Sequence, residues 1–386
     1  MGVFSFSIPR QIFYGENALS ELGNLKGTKA AIVTGGHSMK KFGFLDQAVE
    51  LLKGANIESI IIDGVEPNPS VKTVIAGAKK MQEFNPDWIV AIGGGSALDA
   101  AKVMWCFYEY PELKFEDIIA VGSMPTLRNK AKFIAIPSTS GTASEITAFS
   151  VITDPENHIK YPIVCGDMVP DIAILDPAIP MKMPAHITAN TGMDVICHAL
   201  EALVSIAKTN FTEPYAVRAI ELVIANLPVA YKEPTNLEAR ENMHEASALA
   251  GMAFTNASLG LVHSLAHKIG GEFGVTHGLA NAILLPYLVE YNRQFTDRYD
   301  YIENLLGVDD IAQVIRDLNV SLSIPASFKD CIEVDFNETK FIEVLDRMSQ
   351  RAFDDPCTLT NPGDPTVADV KMLYTAAYYG NPITKR

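Results

Sequence analysis

Three histidines fall within the stretch HSLAHKIGGEFGVTH, at His263, His267 and His277. His263 and His267 stand four residues apart, a spacing that puts both imidazoles on one face of a helix. Upstream, TGMDVICHALEALV repeats that spacing with Asp194 and His198, and the glycine-rich bend GGEFG brings His277 back at the opening of a further helix. Four or five ligands thus become available from three segments. Imidazole nitrogen and carboxylate oxygen suit a divalent ion and exclude neither zinc nor iron on ligand type. A single helical histidine is ordinarily a packing or surface residue, but two such pairs and a third histidine after a sharp bend are harder to explain that way. With no thiolate and four protein ligands, admitting a substrate oxygen requires five- or six-coordination, which iron(II) accepts more readily than catalytic zinc. His158, His186 and His244 form no second set and read as structural or solvated.

A second chemistry is written in DWIVAIGGGSALDAAK, which joins a strand to a helix through Gly93, Gly94, Gly95 and Ser96. A turn without β-carbons lets backbone approach a phosphate, and the first N–H groups of the helix face the charge. That arrangement suits a dinucleotide pyrophosphate, although it is not the G-x-G-x-x-G fingerprint. A polar turn, PSTSGTASE at 137 to 145, follows the next strand and offers Ser138, Thr139, Ser140 and Thr142. Loops at the carboxyl ends of parallel strands line the crevice where cofactors bind. After the first strand of the set, VTGGHSMKK lacks the carboxylate that would hold an NAD ribose. Gly35 and Gly36 leave space there, and His37, Ser38, Lys40 and Lys41 offer donors, so NADP(H) is expected over NAD(H).

These residues need a scaffold, and 386 residues allow two domains. Through about residue 180, KAAIVTGG, SIIIDGV, DWIVAIGGG, FIAIPST and DIAILDP alternate with helical stretches, the pattern of a mostly parallel sheet wrapped by helices. FSFSI alternates in polarity and reads as an added edge element, and SVITDPENHIKYPIV reads as a hairpin turning at Pro155 to Asn157. Beyond LDPAIPMKMP the chain becomes Ala- and Leu-rich with apolar residues three and four apart, hence helical. Thr212, Glu213 and Pro214 mark a helix start, with Val217, Ile220, Ile224 and Leu227 as its buried stripe. The reading is therefore an α/β dinucleotide-binding domain over 1–180 and an all-helical metal-binding domain over 181–386.

The net charge of −15 and the absence of Lys/Arg clusters argue against nucleic acid. The start lacks signal-peptide features and no later run could span a bilayer, so no membrane role and a cytoplasmic location are expected. Cys106, Cys165, Cys197, Cys331 and Cys357 are scattered and odd in number, which fits reduced thiols.

Together, DGVEPNP, AIGGGSALDAAK, PSTSGTASEIT, TGMDVICHALEA, the stretch GMAFTNASLGLVHSLAHKIGGEFGVTHGLANAILLP at 251 to 286, and TNP near the end resemble the iron-dependent (group III) alcohol dehydrogenases. Members include lactaldehyde reductase, 1,3-propanediol dehydrogenase and NADPH-dependent butanol dehydrogenases, and the resemblance covers essentially the whole chain. It implies the iron-containing alcohol dehydrogenase fold, which dehydroquinate synthase shares: a Rossmann-like domain followed by an all-α domain. It implies metal ligands Asp194, His198, His263 and His277, with His267 left beside the nicotinamide as a proton relay or positioning group. Cofactor contacts are implied at Gly94, Gly95 and Ser96, at Ser138, Thr139, Thr142 and Thr147, at Val151 and Lys160 near the nicotinamide ribose, and at Asn68 near the adenosine. Relatives that use NAD commonly carry Asp after the first strand; VTGGHSMKK is similar to the pattern of NADPH-using relatives, except that His37 stands where they have Gly. A homodimer or an assembly of dimers is implied as well.

The expected reaction is hydride transfer between NAD(P)(H) and a small primary alcohol, diol or aldehyde, with Fe2+ as the ion and Zn2+ as the alternative. Phe149, Phe254 and Cys357 are candidates for an apolar substrate wall. Two other readings use the same residues: dehydroquinate-synthase-like or glycerol-dehydrogenase-like zinc chemistry, and a non-catalytic protein whose ion only staples helices. Dehydroquinate-synthase-like chemistry would need a basic pocket for a phosphonate-like substrate, and no suitable Lys and Arg cluster is present near the metal segments.

Overall fold

The structure, a computed structural model, describes residues 5–154 and 159–383. It divides into two compact units, Met1–Met183 with Thr235–Ala248, and Pro184–Pro234 with Leu249–Arg386. The first unit, continuous through Met183, also takes in Thr235–Ala248.

The first unit is built on a six-stranded, all-parallel sheet: β1 (Gln11–Tyr14), β2 (Lys29–Gly35), β3 (Glu58–Val65), β4 (Trp88–Gly93), β5 (Lys132–Pro137) and a last strand, Ile172–Leu175, in the order β1, last strand, β5, β4, β2, β3. Continuous apolar runs are what two-faced burial requires. In β4, Ile89 and Ala91 join one core with Ala31, Val33, Phe133 and Ala135, while Val90 and Ile92 join the other with Ile32, Ile134 and Ile136. Crossover helices α1 (Ser38–Lys41), α2 (Phe44–Gly54), α3 (Val71–Phe84) and α4 (Gly95–Glu109) return the chain between strands. Ser70 caps α3 by accepting from Thr73 N at 3.2 Å. Beside the sheet lies an antiparallel pair, β6 (Phe149–Asp154) and β7 (Ile159–Val164); the strand Ile172–Leu175 is then β8. The expected turn at Pro155 to Asn157, and His158, lie outside the described residues.

Two expectations shift. The described part of FSFSI forms no strand; the edge strand lies later, at β1, where QIFY pairs in parallel with β8. The buried stripe of the helix after Thr212 is centred on Ala216, Ala219, Ile220, Val223 and Leu227, with Val217 and Ile224 only half-buried at its margin. A 3.6-residue period allows either set, and the small Ala216 and Ala219 let the neighbouring helix approach.

The second unit is built of helices, with no strand among its described residues: α5 (Ala185–Val204), α6 (Glu213–Lys232), the later part of α7 (Leu237–Ala257), α8 (Leu261–Phe273), α9 (His277–Asn292), α10 (Arg298–Leu306), α11 (Ile311–Ser321), α12 (Glu338–Phe353) and α13 (Val367–Tyr379). Helix α5 is buried almost all round, as its apolar composition demands. No helix among the described residues is long and apolar enough to cross a membrane.

Candidate functional site

Helices α5, α8 and α9 each bring one part of the metal-type residue set to a common point. Asp194 Oδ1 lies 3.9 Å from His198 Nε2, 3.7 Å from His263 Nε2 and 3.6 Å from His277 Nε2. Donors that share a tetrahedral ion at about 2.1 Å stand roughly 3.4 Å apart, so these side chains already have nearly the spacing such a centre needs. Three of the four are buried, and His277 keeps 39% of its side chain exposed. The return of His277 depends on Gly278: a β-carbon there would sit 2.2 Å from Asn190 O, so only glycine lets the start of α9 close against α5.

Electrostatics fit the same purpose. Burial alone would raise the Asp194 pKa, but His198, His277 and His263 outweigh it and hold the carboxyl well below the usual carboxylate range. Desolvation, against the pull of Asp194, holds His277 down to about 3 and so keeps the ring neutral, as a ligand must be. Glu201 Oε2 accepts from His263 Nδ1 at 2.5 Å, which leaves His263 Nε2 facing Asp194. This is the carboxylate–histidine pairing that commonly orients a metal ligand. Phe254 stacks on His198 with ring centroids 4.3 Å apart. An aspartate held ionised and three imidazoles converging on it fit a divalent ion of the zinc or iron type.

His267, the fifth candidate, points its Nδ1 elsewhere, to Asp355 Oδ2 at 3.0 Å. Lys268 Nζ donates to the same oxygen at 2.7 Å, and Cys357 N donates to Asp355 Oδ1 at 3.0 Å. The His267 and His277 rings stack with centroids 5.6 Å apart, so His267 adjoins the set without joining it. Cys357 lies beside His267 and Asp355, and burial pushes its thiol well above the ordinary range.

In the first unit, the loops after β4 and β5 lie side by side. A β-carbon at Gly95 would meet Thr142 Oγ1 and Cγ2 at 2.9 Å, and one at Gly94 would meet Thr139 Cγ2 at 3.7 Å. Ser138 N donates to Gly93 O at 2.8 Å, and Gly35 N lies near Gly93. Small residues therefore bring backbone N–H groups and hydroxyls together at the N-terminus of α4, a ready anion site. Asn68 N donates to Ser96 Oγ at 3.3 Å, and Lys160 Nζ donates to Asn68 Oδ1 at 2.8 Å, joining three of the expected cofactor residues. Gly36, His37 and Ser38 are exposed, and Lys40 is paired with Asp46 at 2.5 Å.

Thr147, Phe149 and Val151 are held by polar groups inside α4. Lys102 Nζ donates to Thr147 O at 2.7 Å and Phe149 O at 2.9 Å, while Val151 N and Ser144 Oγ donate to Asp99 at 2.9 and 2.6 Å. Burial brings Lys102 down to about 8 against the attraction of Asp99 and Glu145. Thr147 is buried. His244, also buried, is hydrogen-bonded to Ser140 Oγ at 2.9 Å.

Sequence reasoning passed over Glu201, Asn281, Asp355 and Asp99. Glu201 and Asn281 left a signal: Glu201 follows His198 by three residues, and Asn281 follows His277 by four, each on its ligand's helix face. Asp355 left none, because it reaches His267 across 88 residues.

Comparison with known proteins follows the same two segments. Residues 9–177 match the family described as "Iron-containing alcohol dehydrogenase", and residues 188–378 match "Fe-containing alcohol dehydrogenase family, C-terminal". The chain is 47% identical over 388 residues to an NADPH-dependent butanol dehydrogenase of Clostridium saccharobutylicum, covering 98% of this chain and 99% of that protein. An aldehyde-alcohol dehydrogenase of Streptococcus pneumoniae is 38% identical over 97% of this chain, which spans 46% of that longer protein. Among solved structures, an iron-containing alcohol dehydrogenase from Thermococcus thioreducens superposes with a TM-score of 0.90 at 36% identity, covering 98% of this chain and all of that one. A 1,3-propanediol oxidoreductase gives 0.89 at 34% identity, with the same coverage.

Proposed function

The chain belongs to the iron-containing alcohol dehydrogenases, and from that premise we propose that Asp194, His198, His263 and His277 hold the ferrous ion of an NAD(P)-dependent alcohol dehydrogenase. The convergence of three imidazole nitrogens on Asp194 Oδ1 carries the assignment. An ion held there would supply Lewis acidity toward an alcohol or carbonyl oxygen, and a bound nicotinamide would supply the hydride acceptor or donor. Glu201 fixes the His263 tautomer, and Asp355 fixes His267 so that its Nε2 is the atom that holds or passes on the alcohol proton. Phe254 and Cys357 supply apolar surface suited to a small aliphatic substrate; the same role for Phe149 rests on the sequence.

The dinucleotide is assigned to Gly94, Gly95 and Ser96 for the pyrophosphate, and to Ser138, Thr139 and Thr142 beside them, with Asn68 and Lys160 linked to Ser96. Thr147 and Val151 act by fixing the backbone near the nicotinamide ribose. NADPH is preferred over NADH because Gly35, Gly36 and Ser38 present no carboxylate to a 2′-phosphate, and a relative at 47% identity is named NADPH-dependent. The resemblance further supports a dimer or an assembly of dimers.

The deciding experiment measures NADPH and NADH oxidation with short aliphatic aldehydes after anaerobic loading with Fe2+ or Zn2+. Metal-dependent NADPH oxidation is expected, abolished in Asp194→Ala and His198→Ala with dinucleotide binding retained. Turnover surviving in His198→Ala would show that the ligand assignment is wrong. Bound metal without turnover on any aldehyde would favour an ion that only staples helices.

A further inference from the structure

Asn281 lies on α9 one turn beyond His277 and is fully buried. Its Nδ2 stands 2.6 Å from Asp194 Oδ1, 3.1 Å from His277 Nε2 and 3.2 Å from His263 Nε2. One carboxamide nitrogen thus touches three of the four side chains assigned to the ion, from three different helices. An amide has two hydrogens to give. Asp194 Oδ1 takes one and keeps a further lone pair for an ion; His277 Nε2, with a single lone pair, holds the other only until an ion replaces it, and His263 Nε2 is left in contact. The orientation is set by charge: turning the amide over would place Oδ1 against the Asp194 oxygen, acceptor on acceptor.

The other half of the group gains nothing. Asn281 Oδ1 is buried with no hydrogen-bond partner among the described residues. A buried unsatisfied acceptor is destabilising, a cost an apolar side chain of similar volume would avoid. The buried amide is therefore accounted for by what its nitrogen does, and that nitrogen meets only groups of the proposed metal centre.

We propose that Asn281 is a positioning residue of the metal centre: its carboxamide fixes Asp194 Oδ1 where the imidazole nitrogens meet, through a hydrogen bond that leaves this oxygen a lone pair for an ion. This rests on the metal assignment made above. Removing the donor leaves the Asp194 carboxylate free to turn away from the imidazoles, so that binding must first bring it back. Groups of this kind typically change metal affinity by about 10- to 100-fold.

The test is Co2+ affinity of the full-length chain, measured by competition with a chromophoric chelator, together with the visible spectrum of bound Co2+. Asn281→Leu and the smaller Asn281→Ala are compared with wild type, each checked for native circular dichroism and unchanged NADPH binding; Ala serves if Leu does not fold. The expected result is one Co2+ per chain in wild type and affinity weaker by about 10- to 100-fold in the variants, with an altered spectrum. A role in packing alone would lower thermal stability and leave affinity and spectrum unchanged, and variant affinities within twofold of wild type would overturn the proposal. Asp194→Ala separates this from its premise: if it binds Co2+ as wild type does, the metal assignment itself fails.

Discussion

Glu201 Oε2 lies 2.5 Å from His263 Nδ1, while Glu201 Oε1 accepts from Val262 N at 2.6 Å. Both oxygens of a buried carboxylate are therefore committed to donors on α8. In Glu201→Gln, whichever way the amide turns, an NH2 group faces one of those donors. If it faces His263, the ring proton moves to Nε2, the atom directed at Asp194. The expected outcome is a loss of about 10- to 100-fold in metal affinity, read by chelator competition on folded protein. Affinity equal to wild type would mean that the tautomer of His263 is not set by Glu201.

Asp355 holds His267 in the same way from another part of the chain. Its Oδ2 accepts from both His267 Nδ1 and Lys268 Nζ, so Asp355→Asn also sets donor against donor. Turnover should fall by about 10- to 100-fold, with a displaced pH profile and unchanged metal content. Steady-state kinetics across pH, with metal analysis of the same samples, check this. An unchanged pH profile would reduce the pair to a packing contact.

Cofactor choice is tested at Gly36 rather than Gly35. A β-carbon at Gly35 would sit 2.7 Å from Val65 O, so substitution there would disturb the strand itself. Gly36 has open space around it and a φ of 59°, a left-handed conformation that aspartate tolerates. Gly36→Asp should lower kcat/KM for NADPH by about tenfold through repulsion of the 2′-phosphate, with little effect on NADH. Equal loss with both cofactors would show that this turn does not read the ribose.

Glu145 gives a stability signature. It is buried, with Oε1 lacking a partner among the described residues, and burial raises its pKa from 4.5 to about 7 against the pull of Lys102. Between those values the unfolded chain ionises while the folded one keeps its proton. This contribution is thus full below pH 4.5, declines as pH rises toward 7 and is constant above. Glu145→Gln should remove that decline, on the order of 1 to 3 kcal/mol, in denaturant titrations compared with wild type across the window. Identical pH dependence in the two proteins would rule out Glu145 as its source.

From the order of residues alone, the parallel sheet, the glycine turn at Gly93 to Ser96 and the helical second half were legible. Each is a local property: continuous apolar strands, a turn without β-carbons, and a 3.6-residue period. The i, i+4 pairs Asp194–His198 and His263–His267 were legible for the same reason, since a helix fixes which side chains share a face. Spacing also offered His267 as a fifth ligand; only the resemblance set it apart. Tertiary structure supplies the physical ground, because Asp355 lies across 88 residues and takes the ring's Nδ1. Packing likewise decided that Gly278 admits α9 against α5, and that Glu201 and Asn281 stand behind the candidate ligands. Their partners lie on other helices, and hydrogen bonds between distant segments follow from how faces meet, which no local period encodes.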